Sequence, residues 1–386
     1  MNFELSDEQR AFQHSARDFA AGEFAPHAAR WDAEGIFPRE ALAAAGRLGF
    51  CGLYADERYG GLGLPRLDAT LVFEELAAAC PSTTAYLTIH NMVTWMVTRW
   101  ARPEVAAVWG PALAAGEKLA SYCLTEAGAG SDAISLRTTA QLEGGEYVLN
   151  GTKAFISGAG ATDALVVMAR TGGEGAAGIS ALLVPADTPG ISFGRKEEKM
   201  GWNSQPTRAI AFDKVRVPAS HLLGEEGEGF RIAMKGLDGG RINIATCSVG
   251  AAQGALNAAR RHMHERSQFK RKLSSFQALQ FKIADMATEL VAARQMVRLA
   301  ASRLDAGSPQ ATAYCAMAKQ FATDAGFRIC NEALQIHGGY GYMREYPLER
   351  FLRDVRVHQI LEGTNEIMRV IISRRILATD TTEDIR

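Results

Sequence analysis

A carboxylate, Glu362, ends the apolar run in "HQILEGTNEIM" (residues 358–368), and Gly363 follows it directly. Burial among apolar groups can raise the pKa of a glutamate from about 4.3 toward about 6–7, which suits a general base that removes a weakly acidic C–H proton. The neighbouring glycine allows another group to approach the backbone closely. The same pattern also fits an exposed glutamate at a helix start, where the helix dipole favours negative charge. These residues alone favour the second interpretation.

A glycine-rich loop, "TEAGAGSDA" (residues 125–133), contains the spacing G-x-G-x-x-A, so a Rossmann dinucleotide site is one hypothesis. A Rossmann loop opens a helix, whereas the following "ISLRTTAQLEGGEYVLNG" predicts a strand and a hairpin. The remaining functional hypothesis is close backbone approach to a flat or anionic ligand, with Ser131 as a hydroxyl contact. An ordinary turn is the alternative, and this stretch alone slightly favours it.

Two further stretches suit ligand contact. "KGLDGGRINIA" (residues 235–245) places Gly239 and Gly240 inside a helical pattern, where each costs about 0.5–1 kcal/mol against alanine. Either a bulky group or another helix therefore packs against that face.

"ERSQFKRKL" (residues 265–273) is a basic cluster around an aromatic residue. Such a cluster is usually a solvated basic face. The more specific hypothesis is that it contacts a phosphate or pyrophosphate group.

"QIHGGYGY" (residues 335–342) has three glycines after a helical pattern, which predicts either a helix C-cap with a loop or a second phosphate cradle. His337 and His358 have no companions at metal-ligand spacing, so we predict no metal site. "GTKAFISG" contains no G-x-S-x-G nucleophile elbow.

Composition narrows the class of protein. The chain has 386 residues, 47% of them hydrophobic, which suffices for several domains. Its 42 basic and 43 acidic residues give a formal net charge of -1, which supports neither a nucleic-acid nor a membrane-surface partner. The six cysteines are scattered without CxxC pairs, which favours free thiols in a reducing compartment. No targeting pattern opens the sequence, so we expect a cytoplasmic, bacterial protein.

The elements that must position these motifs form three predicted domains. Residues 1–118 read as helices, starting with a capping box between Ser6 and Gln9. Residues 119–228 contain short alternating segments and a hairpin turn at Gly144-Gly145, which predicts a β domain. Residues 229–386 return to long apolar helical stripes.

Taken together, these stretches resemble the acyl-CoA dehydrogenase family along nearly the whole chain. The ordered set of motifs is specific, although each is weak alone; in this chain they are "YCLTEAGAGSD", "GTKAFISGAG", "ERSQFKRKL", "QIHGGYGY" and "LEGTNEI". Ala127 departs from the proline usual in the family, which affects only loop stiffness. The resemblance implies an α+β multidomain fold with an N-terminal helical domain, a middle antiparallel β-barrel-like domain and a C-terminal four-helix bundle.

The resemblance also implies a reaction. Members of the family are FAD-dependent and remove the α-proton and β-hydride of an acyl-CoA thioester, with Glu362 in the position of the base. One branch, which includes isovaleryl-CoA dehydrogenase, carries its base where this chain has Gly240, which cannot act as one. "FISGAG", "GWNSQPTRA", "GGRINIA" and "VHQILEGTNE" closely resemble the isobutyryl-CoA dehydrogenase branch, which forms methacrylyl-CoA in valine catabolism. We therefore expect electron-transfer flavoprotein as the acceptor and a homotetramer built as a dimer of dimers.

The family pattern assigns two sets of contacts. The residues it implies for FAD are Tyr122, Leu124, Thr125, Gly130, Ser131, Phe155, Ile156, Ser157, Arg266, Gln268, Phe269, Gln277, Gln335, Gly338, Gly339, Thr364, Asn365 and Glu366. Those it implies for the acyl-CoA substrate are Ser131, Asp238, Arg241 and Gly363. The backbone amide of Glu362 is expected to polarise the thioester carbonyl. As a further hypothesis, Gly239-Gly240 leaves room for an α-methyl branch.

Three alternatives stay open at this point. An acyl-CoA oxidase is disfavoured because the chain is far shorter than typical oxidases of the family. A dehydrogenase for short straight or 2-methylbutyryl chains is a close relative of the preferred assignment. A non-catalytic, flavin-binding assembly protein is disfavoured because the chain keeps both Glu362 and Ser131.

Overall fold

The structure is a computed structural model and describes residues 4–378. Its first helix, Asp7–Phe19, begins at the predicted capping box: the Ser6 hydroxyl accepts from the Gln9 amide, and the Gln9 side chain accepts from the Ser6 amide, both at 3.1 Å. Reciprocal bonds of this kind satisfy helix-end donors that otherwise lack partners. The prediction of a capping box is confirmed.

Six α-helices make up the N-terminal part of the chain. They are α1 (Asp7–Phe19), α2 (Ala28–Glu34), α3 (Arg39–Arg47), α4 (Arg66–Ala79), α5 (Pro81–Trp100) and α6 (Pro103–Ala114). α5 and α6 are separate because Arg102 is extended, with ψ 147°, as the residue before a proline usually is. The core shared by α1 to α5 contains large side chains with no exposed surface, among them Phe24, Phe73 and Tyr86.

One eight-stranded sheet forms the middle of the chain. Its strands are β1 (Ala120–Cys123), β2 (Thr139–Glu143), β3 (Glu146–Ser157), β4 (Ala164–Arg170), β5 (Ile179–Pro185), β6 (Ile191–Phe193), β7 (Thr207–Pro218) and β8 (Leu222–Leu223). The order is β6-β7-β3-β2-β4-β5-β8, with β1 beside β4. Pairs are antiparallel except β1–β4 and a single parallel position between β2 and β4. Gly144 and Gly145 join β2 to β3 with φ of 60° and 87°, as predicted for the hairpin.

The C-terminal part is helical again. It contains α7 (Gly229–Glu265), the two-stranded hairpin of β9 (Ser267–Gln268) and β10 (Arg271–Lys272), α8 (Gln277–Asp305), α9 (Ala311–His337), α10 (Leu348–Arg356) and α11 (Asn365–Leu377). α7, α8 and α9 pack closely because many of their facing residues are alanines with no exposed surface. α7 also lies against α4 and α5, and so it connects the two helical regions. The predicted fold class is confirmed.

Within residues 4–378, no helix has both the length and the apolar character that crossing a membrane requires. All six cysteines are buried free thiols. In the same described range, no three His, Cys, Asp or Glu side chains are grouped closely enough to hold a metal ion.

Candidate active site

Glu362 lies in the short turn between α10 and α11, in an unusual backbone conformation. Its φ is +56°, and that of Gly363 is +86°. Glycine adopts the left-handed region freely, whereas a residue with a Cβ is rarely found there and pays about 1–3 kcal/mol. Two successive residues of this turn thus have positive φ. The strain is therefore concentrated at the residue that the family pattern identifies as the base.

The Glu362 side chain is directed against α7. A Cβ atom placed on Gly240 would lie 2.5 Å from Oε2 and 2.9 Å from Cδ of Glu362, so only glycine leaves room for the carboxyl group. Oε2 is enclosed and has no hydrogen-bond partner within the protein, although Glu362 as a whole keeps some exposed surface. The space beside Gly240 is thus occupied by Glu362 itself. It does not provide the free volume that the α-methyl hypothesis assumed.

The surroundings of Glu362 adjust its acidity. Burial raises the pKa of its carboxyl group from the ordinary 4.5 to about 7, while the positive charges of Arg241 and Lys319 act in the opposite direction. Burial also raises the pKa of the Tyr54 and Tyr122 hydroxyls, and the Glu362 charge adds to both effects. A carboxylate with a pKa near 7 suits a general base at neutral pH.

Gly239, next to Gly240 on α7, leaves space for a different charged group, the guanidinium of Arg66. A Cβ on Gly239 would overlap the guanidinium of Arg66, which stacks 3.4 Å from the Tyr54 ring centroid and 4.8 Å from that of Trp95. Arg66 is buried, and its Nη1 has no hydrogen-bond partner in the structure. Arg66 is not predictable from the sequence, because nothing in the local pattern at the start of α4 distinguishes it from an exposed arginine. The two glycines therefore leave space for two charged groups of opposite sign, the guanidinium of Arg66 and the carboxyl group of Glu362.

Asp238 and Arg241, predicted to contact substrate, pair with each other. Nη1 of Arg241 donates to Oδ1 of Asp238 at 2.7 Å, and the hydroxyl of Thr312 donates to Oδ2 at 2.7 Å. Nε of Arg241 lies 3.5 Å from the carbonyl oxygen of Glu362, at the long limit for a hydrogen bond. Arg241 thus lies beside the turn that carries Glu362, and its role toward substrate stays a prediction.

A buried ion pair holds the glycine-rich loop in place. Nζ of Lys153 donates to Oε1 of Glu126 at 2.8 Å and to the carbonyl of Leu124 at 3.0 Å. The Glu126 carboxylate also accepts from the backbone amides of Arg137 (2.7 Å) and Thr138 (2.9 Å). The sequence gives no signal for this pair, because the two partners belong to different elements 27 positions apart. The loop is rigidly anchored at its start.

Beyond that anchor the loop presents free space. A Cβ on Gly128 or Gly130 would meet no atom within 4 Å. Close to this edge of the sheet, β3 bulges against β7 between Lys153 and Ile156 and places Phe155 at φ +57° with 69% of its surface exposed. Bulges of this kind often redirect a side chain near a functional site. An open glycine loop beside an exposed aromatic ring fits a flat, partly anionic group such as FAD.

The other residues predicted at this edge have different environments. Tyr122 has an enclosed hydroxyl without a hydrogen-bond partner in the structure. Leu124 and Ile156 are buried, and Thr125 is half-buried. The carbonyl of Ser157 accepts from the Ser121 hydroxyl at 2.7 Å, so β1 and β3 are fastened together here. Ser131, within the glycine-rich loop, is exposed.

A second group of predicted residues lies at the far ends of α7 and α9. The motifs "ERSQFKRKL" and "QIHGGYGY" meet here, because the guanidinium of Arg266 lies 5.2 Å from the ring centroid of Tyr340. Phe269 is 87% exposed at φ +50°, and Gly338 and Gly339 have open space where a Cβ would be. Gln268, Gln277 and Gln335 are exposed nearby along the chain. An exposed aromatic side chain on a strained backbone is typical of a surface that a ligand or another subunit covers.

The three predicted residues after Glu362 differ in exposure. Thr364 caps α11, its hydroxyl accepting from the Ile367 amide at 3.3 Å. Asn365 is buried and hydrogen bonds to side chains of α9, whereas Glu366 is exposed. A cofactor contact of Asn365 stays a prediction, because its amide group already has partners inside the protein.

His337 and His358, for which no metal site was predicted, both have partners inside the protein. Trp202 Nε1 donates to Nε2 of the fully buried His358 at 3.3 Å, so Nδ1 carries the proton and donates to the Ser248 hydroxyl at 2.7 Å. Burial, with a smaller contribution from the Lys319 charge, lowers the pKa of His358 to about 3, so the imidazole is neutral. His337 stacks on His262 with ring centroids 4.2 Å apart. His358 fixes the start of the turn that carries Glu362.

Family models and known relatives match nearly the whole chain. Family models for the acyl-CoA dehydrogenase N-terminal, middle and C-terminal domains match residues 6–117, 121–215 and 227–377. Mitochondrial isobutyryl-CoA dehydrogenases of Bos taurus and Dictyostelium discoideum are 53% and 54% identical to the chain; the matches cover 97% of this chain and 90% and 91% of theirs. The solved structure of butyryl-CoA dehydrogenase from Megasphaera elsdenii has a TM-score of 0.94 at 38% identity, covering 98% of this chain and all of that one.

Proposed function

Because the chain belongs to the acyl-CoA dehydrogenase family, and is therefore an FAD-dependent oxidoreductase that acts on acyl-CoA, we propose that it converts isobutyryl-CoA to methacrylyl-CoA. The observation that carries the mechanism is the enclosed, unpartnered carboxyl oxygen of Glu362 on a strained turn. The choice of substrate is supported by the identity to two isobutyryl-CoA dehydrogenases along nearly the whole chain.

Glu362 is the general base of the proposed mechanism. Its Oε2 has no partner within the protein, so its lone pairs are free to take the α-proton of a bound thioester. The pKa near 7 allows the carboxylate to form at neutral pH and still accept a proton. The α-proton moves to Glu362 while the Cβ–H bond breaks, which leaves a double bond between Cα and Cβ. Bound FAD supplies the acceptor for the β-hydride.

The strained turn supports a second role in substrate binding. Gly363 at φ +86° has no side chain to obstruct a thioester beside the backbone. We propose that the amide of Glu362 donates to the thioester carbonyl, because an amide directed at the developing oxyanion stabilises it without reorganisation. Ser131, Asp238 and Arg241 are proposed to contact the CoA part.

The two open groups of residues are proposed to hold FAD. The loop at Gly128 and Gly130, with exposed Phe155, offers a surface for the ring system. The basic hairpin with Arg266 and Phe269, beside Gly338, offers cationic and aromatic contacts for the pyrophosphate and adenosine. The exposure of Phe269 supports the proposal that this second group also meets another subunit, in a homotetramer.

The wider setting follows the same proposal. Electrons would pass to electron-transfer flavoprotein, and the reaction would serve valine catabolism in the cytoplasm of a bacterium. The likeness to butyryl-CoA dehydrogenase of Megasphaera elsdenii favours one second candidate, a short straight-chain acyl-CoA. A 2-methylbutyryl chain is the other close alternative.

Anaerobic titration of the purified protein, supplied with FAD, distinguishes these substrates. Isobutyryl-CoA, butyryl-CoA and 2-methylbutyryl-CoA are added separately, and the loss of flavin absorbance is followed. We expect isobutyryl-CoA to bleach the flavin fastest. Faster bleaching by another acyl-CoA would keep the reaction class and refute the proposed substrate. A protein that does not take up FAD would contradict the enzyme assignment.

A further inference from the structure

Both flanks of Glu362 are attached to the same side chain of α9. Nε2 of Gln359 donates to Oδ1 of Asp324 at 2.7 Å, and Nδ2 of Asn365 donates to the same oxygen at 2.8 Å. Gln359 and Asn365 each lie three positions from Glu362, on opposite sides. α9 therefore holds the strained turn at its two ends.

Lys319, also on α9, holds the turn between those ends. Its Nζ donates to the carbonyl of Gly363 at 2.7 Å and to Oδ1 of Asn365 at 2.8 Å. One helical turn further, the Thr323 hydroxyl accepts from Nδ2 of Asn365 at 3.0 Å. The Lys319 side chain has no exposed surface. A fully buried lysine thus bonds to the residue immediately after the base.

The charge on Lys319 needs an explanation beyond these two bonds. Both accepting oxygens are neutral, and a neutral donor would serve them at a lower desolvation cost than an ammonium group. Burial lowers the pKa of Lys319 to about 7, and the Glu362 charge is the main influence in the opposite direction. The reciprocal effect acts on Glu362, whose pKa the Lys319 charge lowers. The ammonium group and the carboxylate therefore stabilise each other's ionised forms.

We propose that Lys319 is a positioning residue for the general base, holding the Glu362–Gly363 turn through Nζ and stabilising the carboxylate by its charge. The inference rests on the proposed role of Glu362. Lys319 acts through Glu362 and Gly363, and it needs no contact with substrate.

Several charged or titratable groups share this region. Those around Glu362 are Arg241 on α7, Lys319 on α9, Tyr122 on β1 and Tyr54 before α4; those around Lys319 are Glu362, Arg241, Asp324 and Glu366. Because Glu362 and Lys319 interact and titrate in the same range, their protonation steps belong to the pair. Removing the Lys319 charge leaves Arg241 as the remaining cation beside Glu362, so the titration of Glu362 must move to higher pH.

Two variants separate the charge from the hydrogen bond. Lys319→Met removes both, whereas Lys319→Gln removes the charge and keeps an N–H donor for the Gly363 carbonyl. Lys282→Met is the matched control, because Lys282 forms a partly exposed ion pair with Glu332. The readout is the carboxyl band of Glu362 in infrared pH titrations of the FAD-loaded protein without substrate, assigned by its absence in Glu362→Gln.

We expect the Glu362 midpoint to rise by roughly one pH unit in both Lys319 variants, the lower end of the effect of a nearby opposite charge. The Lys282→Met midpoint should equal that of the parent. An unchanged midpoint in Lys319→Gln would overturn the proposal. If Lys319→Met does not fold, the result for Lys319→Gln is sufficient by itself to test the proposal. The infrared readout is independent of turnover. A raised midpoint in a protein that no acyl-CoA reduces would refute the proposed function and leave only the electrostatic interaction between Lys319 and Glu362.

Discussion

Gly240 and the carboxyl group of Glu362 lie closer together than any other residue at position 240 would allow, since a Cβ there would be 2.5 Å from Oε2. The contact joins the longest helix of the protein, α7, to the strained turn between α10 and α11. It explains why a helix interior carries glycine at a cost of about 0.5–1 kcal/mol. The glycine leaves space for the carboxyl group of the proposed base.

Gly240→Ala should therefore impair every substrate alike. Glu362 would have to retreat by about 1 Å to reach ordinary contact with the new methyl group, and a misplacement of that size can cost on the order of 100-fold in rate. The measurement is the rate of anaerobic flavin reduction by isobutyryl-CoA and by butyryl-CoA. Gly22→Ala is the control, because a Cβ at Gly22 meets nothing within 4 Å. A loss confined to isobutyryl-CoA would restore the α-methyl hypothesis.

Glu362→Gln should stabilise the protein at alkaline pH. The pKa of Glu362 is raised on folding from 4.5 to about 7, so between these values the folded state binds a proton that the unfolded state has lost. The free energy of unfolding must fall as pH rises through this window. Glutamine resembles the neutral acid and avoids that loss. Urea unfolding should show the variant more stable than the parent at pH 8 and equal to it below about pH 4, where the carboxyl group is protonated in both states. Equal stability at both pH values would show that the carboxyl group is not desolvated.

Lys153→Met should release FAD. The substitution leaves Glu126 without its buried cation, and breaking a buried pair in this way typically costs about 3–5 kcal/mol. The glycine-rich loop (residues 125–133) would then lose its anchor to β3. Flavin absorbance relative to protein absorbance after gel filtration, with a urea midpoint, tests both effects.

The control for that substitution is Arg216→Met on the same sheet. Arg216 pairs with Glu143 and Glu146 at 3.3 Å, but its side chain is 53% exposed. Such surface pairs are worth about 0–1 kcal/mol, so flavin content should not change. If Lys153→Met retains FAD and stability to the same degree as Arg216→Met, the loop is held by other contacts.

Local features of this protein were predictable from the sequence where a short pattern determines them. The capping box at Ser6, the hairpin glycines at 144 and 145, and the helix stop at Gly338, with φ +59°, depend on residues close in the chain. The non-Rossmann nature of the 125–133 loop followed from the strand after it. The prediction that Glu362 is the base came from the family resemblance. The residues around Glu362, taken alone, favoured an exposed glutamate at a helix start.

Other features depend on contacts between distant parts of the chain. Nothing near Lys319 in sequence indicates that its ammonium group reaches Gly363, 44 positions away. The stacking of Arg66 on Tyr54 and the Lys153–Glu126 pair likewise arise only when separate elements pack. The left-handed conformation of Glu362 was also hidden, since glutamate has no preference for it. These four features require the three-dimensional arrangement.

The most direct test of Glu362 as the base is stopped-flow reduction of the flavin by isobutyryl-CoA under anaerobic conditions, at several pH values on either side of 7. In the parent protein, the limiting reduction rate divided by the apparent dissociation constant of isobutyryl-CoA should rise with pH about a midpoint near 7, where Glu362 ionises in the free enzyme. Glu362→Gln should bind FAD normally and reduce it about 10²–10⁴-fold more slowly, the usual contribution of a general base. A Glu362→Gln protein that bleaches as fast as the parent would contradict the assignment and require another group to remove the α-proton.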